Sequence, residues 1–304
     1  MNDELFAMTC DIIKKTGMEI VMPRFDRREK TDFFSSTAFE VRNALITALS
    51  NVDKSAVFTD KEDVSALYHL TAAINLKKNV WVVNPLDGES DFAKGGHAFA
   101  VTIAHMTEGV TDAAWIYLPA ADILLCGDND SGVFINGKKT EISAKKHTEI
   151  IDVSDVHAEK AAKEFGIDKA ASTALSYFNV ISGKTDGAVI DQKLMPWDHA
   201  AGIFLHKLAG GYNGYADTSP YRPENHSRNT LVMAVNRIEF KKLCSFAKCW
   251  ESDRKAADLH IMAQSYAMSP LAKDKDDFEK KFAPKAGKFK NAAKQSLSDS
   301  GENL

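Results

Sequence analysis

Asn84, Asp87, Glu89 and Asp91 crowd side-chain oxygens into one short stretch of the chain, Trp81 to Phe92. Oxygens gathered this closely suit a hard cation such as magnesium, which takes carboxylate and carbonyl donors. Ahead of them, Val80, Trp81, Val82 and Val83 form a β-branched and aromatic run that predicts a buried strand. Pro85 and Gly88 end that strand, because neither continues a sheet ladder comfortably. The amides of Gly88, Glu89 and Ser90 then face outward as a helix or turn begins, and exposed amides at a helix start attract anions. One stretch thus offers oxygens for a metal and backbone donors for a phosphate. The same residues also suit an ordinary Asn-Pro-x-Asp-Gly turn with solvated acids.

A second acidic turn lies in Met195-Pro196-Trp197-Asp198-His199-Ala200-Ala201-Gly202. Pro196 and Trp197 lead into a helix whose first turn holds Asp198, and the small residues after it allow close backbone approach. Taken alone, Asp198 reads as an N-cap carboxylate. With a partner turn at the mouth of a strand, it reads as half of a divided site.

The elements that must position these turns follow from periodicity. Apolar spacing predicts helices over 3–22 (ended by Pro23), 35–49, 64–76, 157–165, 173–180, 199–209 and 238–247. Strands are predicted at 57–58, 80–83, 99–104, 113–118, 123–126, 133–135, 150–153, 187–190 and 231–235. Asn136-Gly137 marks a hairpin. The reading is an N-terminal α+β half with an antiparallel sheet (1–145), an α/β half carrying the second turn (146–250), and a charged helical or disordered tail (251–304). A peripheral helix over 254–268 fits within that tail.

The chain has 304 residues, 44% of them hydrophobic, and a net charge of −4. That mild acidity argues against a nucleic-acid surface, which needs a basic stripe. No apolar run reaches the roughly 18 residues of a membrane span. The acidic start, Met1 to Phe6, lacks the pattern of a signal peptide. Cys10, Cys126, Cys244 and Cys249 are dispersed, as reduced thiols of a cytoplasmic protein are, and Cys10 and Cys126 read as small hydrophobes.

Taken together, Asn84-Pro85-Leu86-Asp87-Gly88-Glu89-Ser90-Asp91-Phe92 and Trp197-Asp198-His199-Ala200-Ala201-Gly202 resemble the two signatures of the inositol monophosphatase family. Those are usually written Asp-Pro-Ile/Leu-Asp-Gly-Thr-x-Asn-Phe and Trp-Asp-x-Ala-Ala-Gly. Ala171 to Leu175, Gly183 to Asp186 and Gly132 to Gly137 resemble further family segments. The resemblance implies a layered αβαβα sandwich and a homodimer acting on small phosphorylated polyols, sugars or nucleotides. It also implies Mg2+ held by an upstream Glu and by the acids of both turns, activating a water without a covalent nucleophile.

By that resemblance Asp87 and Asp198 keep two metal carboxylates, Leu86 offers a carbonyl, and Gly88, Glu89 and Ser90 offer amides to a phosphate. Asn84 stands where the family has a bridging Asp, and Glu89 where it has a Thr that orients water. The upstream segment Phe58-Thr59-Asp60-Lys61-Glu62-Asp63 puts Lys61 on the metal-binding Glu; a one-residue slip instead offers Asp60 or Glu62. Glu62 and Glu89 are then the acids that could stand in catalytically. Lys61 is a point charge for phosphate, and Asp191, seven residues before Asp198, a contact for a substrate hydroxyl or else an exposed strand-end acid. His199 reads as a helix-surface residue. The compared positions lose two or three negative charges, which predicts an eroded metal site and impaired hydrolysis. The alternative is a non-catalytic protein that binds a phosphate ester or a protein partner.

Overall fold

Helix α1 (Asp3–Thr16) starts where Asn2 caps it, its Oδ1 accepting from the Leu5 amide at 2.7 Å. The helix does not stop before Pro23. It widens into a π-turn at Gly17–Val21 and continues as α2 (Met22–Asp26), which carries Pro23 near its start. The expected end at Pro23 is thereby corrected. The computed structural model describes residues 1–27, 33–55, 57–61, 65–76, 78–143, 151–154, 168–169, 172–223 and 228–248. The predicted helices at 157–165 and 254–268, the rest of the tail, Ala171 and Glu62 lie outside these residues. By its contacts the chain divides into a unit of residues 1–243 and a second of 244–304.

The first unit continues with α3 (Phe33–Val52), β1 (Val57–Asp60), α4 (Ala66–Asn75), β2 (Val80–Asp87) and α5 (Glu89–Lys94). Then come β3 (Ala100–Thr107), β4 (Val110–Leu118), β5 (Ile123–Asp128), β6 (Gly132–Ile135) and β7 (Lys138–Thr140). These strands make a seven-stranded sheet in chain order. It is antiparallel except that β1 runs parallel to β2, with α4 as the crossover between them. Asn136 and Gly137 turn β6 into β7 with positive φ at both, as predicted.

The second sheet has five strands in the order β11-β12-β10-β8-β9: β8 (Ile151–Ser154), β9 (Asp168–Lys169), β10 (Gly187–Lys193), β11 (Tyr212–Tyr215) and β12 (Arg228–Ala234). Between the sheets lie α6 (Thr173–Ser182) and α7 (Pro196–Leu208). The large sheet's two faces are separated by the alternation of its strands. Trp81, Val83, Val101, Ile103, Trp115 and Tyr117 pack under α1 and α3, while Val82, Ala104 and Ile116 pack with α6, α7 and the second sheet. Leu243, on a helix over 237–248, lies against Gly187 on the outer side of β10. The layers are therefore α, β, α, β, α, as expected. Among the described residues no helix is long and apolar enough to cross a membrane.

Candidate functional site

The first acidic turn depends on an irregularity at the end of β2. Asn84 pairs with Thr102 and Asp87 with Ala100, so β2 has one residue more than β3 over this interval. In a regular strand, residues three apart point to opposite faces. The bulge restores the parity, so Asn84 and Asp87 both face the helices between the sheets, while Leu86 turns into the opposite core. Gly88 follows with φ +79°, and an added Cβ there would sit 2.2 Å from the Ala98 carbonyl oxygen. Asp91 accepts from the Ala98 amide at 2.7 Å, and Phe92 packs on Phe25 and Phe99, which fixes α5.

The second turn is set by close packing. An added Cβ on Gly202 would lie 2.0 Å from the Tyr177 ring, so α7 reaches α6 only because this residue is glycine. Thr102 donates to the Trp197 carbonyl at 3.2 Å and ties the start of α7 to β3. Asp198 is in the first turn, where the helix dipole favours an acid, but Met195 is the N-cap and Asp198 is not.

The two turns meet. Asn84 donates from Nδ2 to Asp198 Oδ1 at 2.8 Å, and its Oδ1 accepts from the Leu86 amide at 3.2 Å. These partners fix the amide's orientation, since a flip would set oxygen against carboxylate and N–H against N–H. Asp87 is buried and accepts from the Ala174 amide at 2.7 Å, at the start of α6. Burial raises the pKa of Asp87 against the pull of that amide. Burial, and then the charge of Asp87, push Asp198 up to about 7.

Lys61 enters from β1. Asp60 pairs with Val83, which brings the next residue level with Asn84. Its Nζ meets Glu89 Oε1 at 2.6 Å. Burial opposes the ammonium, yet Glu89, Asp198 and Asp87 together hold its pKa raised. Asp60 turns the other way, accepting from Arg42 Nε of α3 at 2.8 Å. The ammonium, and not Asp60, is the group brought beside Glu89, Asp87 and Asp198; Glu62 is beyond the described residues.

Of the remaining candidates, Ser90 is exposed on α5, and Asp191 is buried. Thr230 Oγ1 donates to Asp191 at 3.4 Å, so the reading of an exposed strand-end acid is corrected. The neighbouring Gln192 donates to Thr173 Oγ1 at 3.2 Å and approaches His199 Nε2 at 3.4 Å. His199 Nδ1 lies 3.1 Å from the Tyr177 hydroxyl. This network behind Asp198 was not anticipated. His199 is fully buried, and not on a helix surface, because α7 is covered by a sheet on each side; burial lowers its pKa to about 3.

A sequence profile of the inositol monophosphatase family matches residues 1–247. The chain belongs to that family. It is 30% identical over 187 residues to an inositol-1-monophosphatase of Mesorhizobium japonicum, covering 55% of this chain and 67% of that protein. It is 28% identical over 156 residues to the Rhizobium meliloti inositol-1-monophosphatase, covering 45% of this chain and 57% of the relative's length. Among solved structures, the extragenic suppressor protein suhB of Bartonella henselae superposes with a TM-score of 0.69 at 24% identity, over 81% of this chain and all of that one. At that identity the likeness speaks for the fold, which is of inositol monophosphatase type.

The family is generally metal-dependent, and that chemistry makes demands on the donors at this site. Asn84 turns N–H, not oxygen, toward Asp198, and Lys61 places an ammonium beside both carboxylates. Glu89 is engaged by Lys61, and one oxygen of Asp87 by a backbone amide. Among the described residues no group of three or more His, Cys, Asp or Glu is arranged to hold a metal ion. A magnesium pair needs dense anionic oxygens in octahedral geometry. The described residues do not fit it.

Proposed function

We propose that the cleft binds a small phosphate monoester, of an inositol, another polyol, a sugar or a nucleotide, and has lost most of the metal-assisted hydrolysis of its family. The observation that carries this reading is the pair of contacts Lys61–Glu89 and Asn84–Asp198. Each sets a fixed hydrogen-bond donor where the family resemblance places a cation or its ligand. Lys61 is the point charge for the phosphate, with the amides of Gly88, Glu89 and Ser90 beside it. A protonated Asp198 lowers the negative charge that a phosphate must approach, and its position near neutrality makes that form accessible. Asp87 and Asp198 would hold at most one cation weakly, and Glu89 would meet the ester only after releasing Lys61. Asp191 is assigned to a substrate hydroxyl on the family resemblance alone. The same reading takes the protein as a cytoplasmic homodimer, supported by its dispersed cysteines and by the family.

The test is phosphate release from a panel of phosphomonoesters with Mg2+, run beside calorimetric binding of the same esters. Binding without magnesium-dependent turnover is the expected result. Brisk Mg2+-dependent release, abolished by Asp87→Asn, would overturn it.

A further inference from the structure

Two thiols with no relation in the sequence meet in the fold. Cys10 of α1 and Cys126 of β5 place their Sγ atoms 3.9 Å apart, although 116 residues separate them. Both are free, Cys10 half-buried and Cys126 buried. Their setting is firm on both sides. Cys126 sits mid-ladder, paired with Trp115 on one side and Phe134 on the other. Phe6, one turn before Cys10, packs its ring 5.1 Å from that of Trp115.

We propose that Cys10 and Cys126 form an oxidation site, where a hydroperoxide converts the pair to a disulfide that fastens α1 to the large sheet. The two sulfurs are suited to different steps. The hydrogen bond between the two thiols lowers the Cys10 pKa against the opposing effect of burial, and a lowered pKa favours the thiolate. Its hydrogen bond to Cys10, then burial, push Cys126 up and keep it a thiol.

In the first step the Cys10 thiolate attacks one peroxide oxygen, the O–O bond breaks, and the departing oxygen takes a proton to leave as water (or as an alcohol from an organic hydroperoxide). Cys10 is then a sulfenic acid. The thiolate that held Cys126 protonated no longer exists. Cys126 loses its proton and attacks Cys10 Sγ; the S–O bond breaks and hydroxide leaves as water with that proton. Two thiols have given up two electrons and the peroxide has taken them. Closing the bond brings the sulfurs from 3.9 Å to about 2.05 Å, and the movement falls to Cys10, since Cys126 is fixed by its ladder.

The cross-link would close a loop of more than a hundred residues, which strongly restricts the unfolded chain. It restrains the layer behind the first acidic turn as well, because α1 continues into α2, whose Phe25 packs on Phe92 of α5.

The experiment treats the full chain with hydrogen peroxide, blocks remaining thiols by alkylation and maps peptides without reduction. A peptide joining Cys10 to Cys126 is expected, reversed by dithiothreitol, with Cys244 and Cys249 alkylated. The melting temperature should rise by roughly 5–10 °C on oxidation. Cys10→Ser should abolish both the joined peptide and the rise. The mapping uses the unaltered chain, so it does not depend on a variant folding. Cys10 found as sulfinic acid with Cys126 alkylated, a bridge joining any other pair, or a Cys10–Cys126 bridge with no change in melting would each overturn the proposal.

Discussion

The two acidic turns have the same architectural standing and differ in chemistry. The turn at Asp198 retains the small residues that its packing needs, with Gly202 against Tyr177 and Thr102 on the Trp197 carbonyl. The turn at Asp87 retains its scaffold too: the bulge, Gly88 at positive φ, Asp91 on the Ala98 amide and Phe92 in the aromatic cluster. What differs there from the signature the sequence resembles is the charge of the groups presented: Asn84, buried and bonded to Asp198, and Glu89, paired with Lys61 just after β1. Shape and charge at the two turns therefore answer to separate constraints. A bulge and a close helix contact preserve the fold whether or not a cation is held.

The largest expected effect breaks the scaffold side of that comparison. Gly202→Ala forces its methyl into the Tyr177 ring and should cost about 2–4 kcal/mol, even after the gain in helix propensity. Gly88→Ala combines an unfavourable φ with a clash on a carbonyl, at about 2–3 kcal/mol. Urea denaturation reads both, and a loss under about 0.5 kcal/mol in either would show that the turn is not packing-limited.

Next comes the charge side. Asn84→Asp alone sets a buried carboxylate against Asp198 and should cost about 2–3 kcal/mol at pH 8 without divalent cations. The same denaturation at low pH, where one carboxyl carries a proton, should recover most of it.

Asp198→Asn sharpens the comparison through pH. The folded pKa of Asp198, about 7, lies above the ordinary 3.8, so the fold prefers the protonated form. Its stabilising contribution is present below pH 3.8 and lost as pH rises to about 7. His199 and His206 act in the opposite sense: burial lowers both from 6.5 to about 3, so their contribution is present above pH 6.5 and lost as pH falls toward 3. Asp198→Asn should therefore raise stability at pH 7.5 by about 1–3 kcal/mol, with the gain vanishing near pH 4. A gain that does not depend on pH would contradict that assignment. The smallest effect is Glu89→Gln, which weakens a part-buried bridge by about 1 kcal/mol in chemical denaturation.

Much of this was legible in the sequence, because the large sheet's strands carry apolar runs and the two turns carry spaced acids. The bulge was not, since an extra residue in one strand exists only relative to its partner. Pro23 reads as a stop, but the π-turn before it lets the chain restart a helix with proline in its first turn. His199 reads as a surface residue because a helix between two sheets has no wet face to reveal its burial. Gln192 belongs to no motif, and its role depends on where α6 and α7 meet β10. The thiols could not be paired from spacing alone.

Under the proposed function, Lys61 and the Asn84 amide stand in for a cation. Magnesium titration followed by thermal melting, on the natural chain and on the Lys61→Glu, Asn84→Asp double variant, tests it most directly. The natural chain should show no magnesium-dependent shift. The double variant should melt lower without magnesium and rise by several degrees as the ion is added, since binding to the folded state alone stabilises it. A clear magnesium shift in the natural chain, or none in the double variant, would contradict the account.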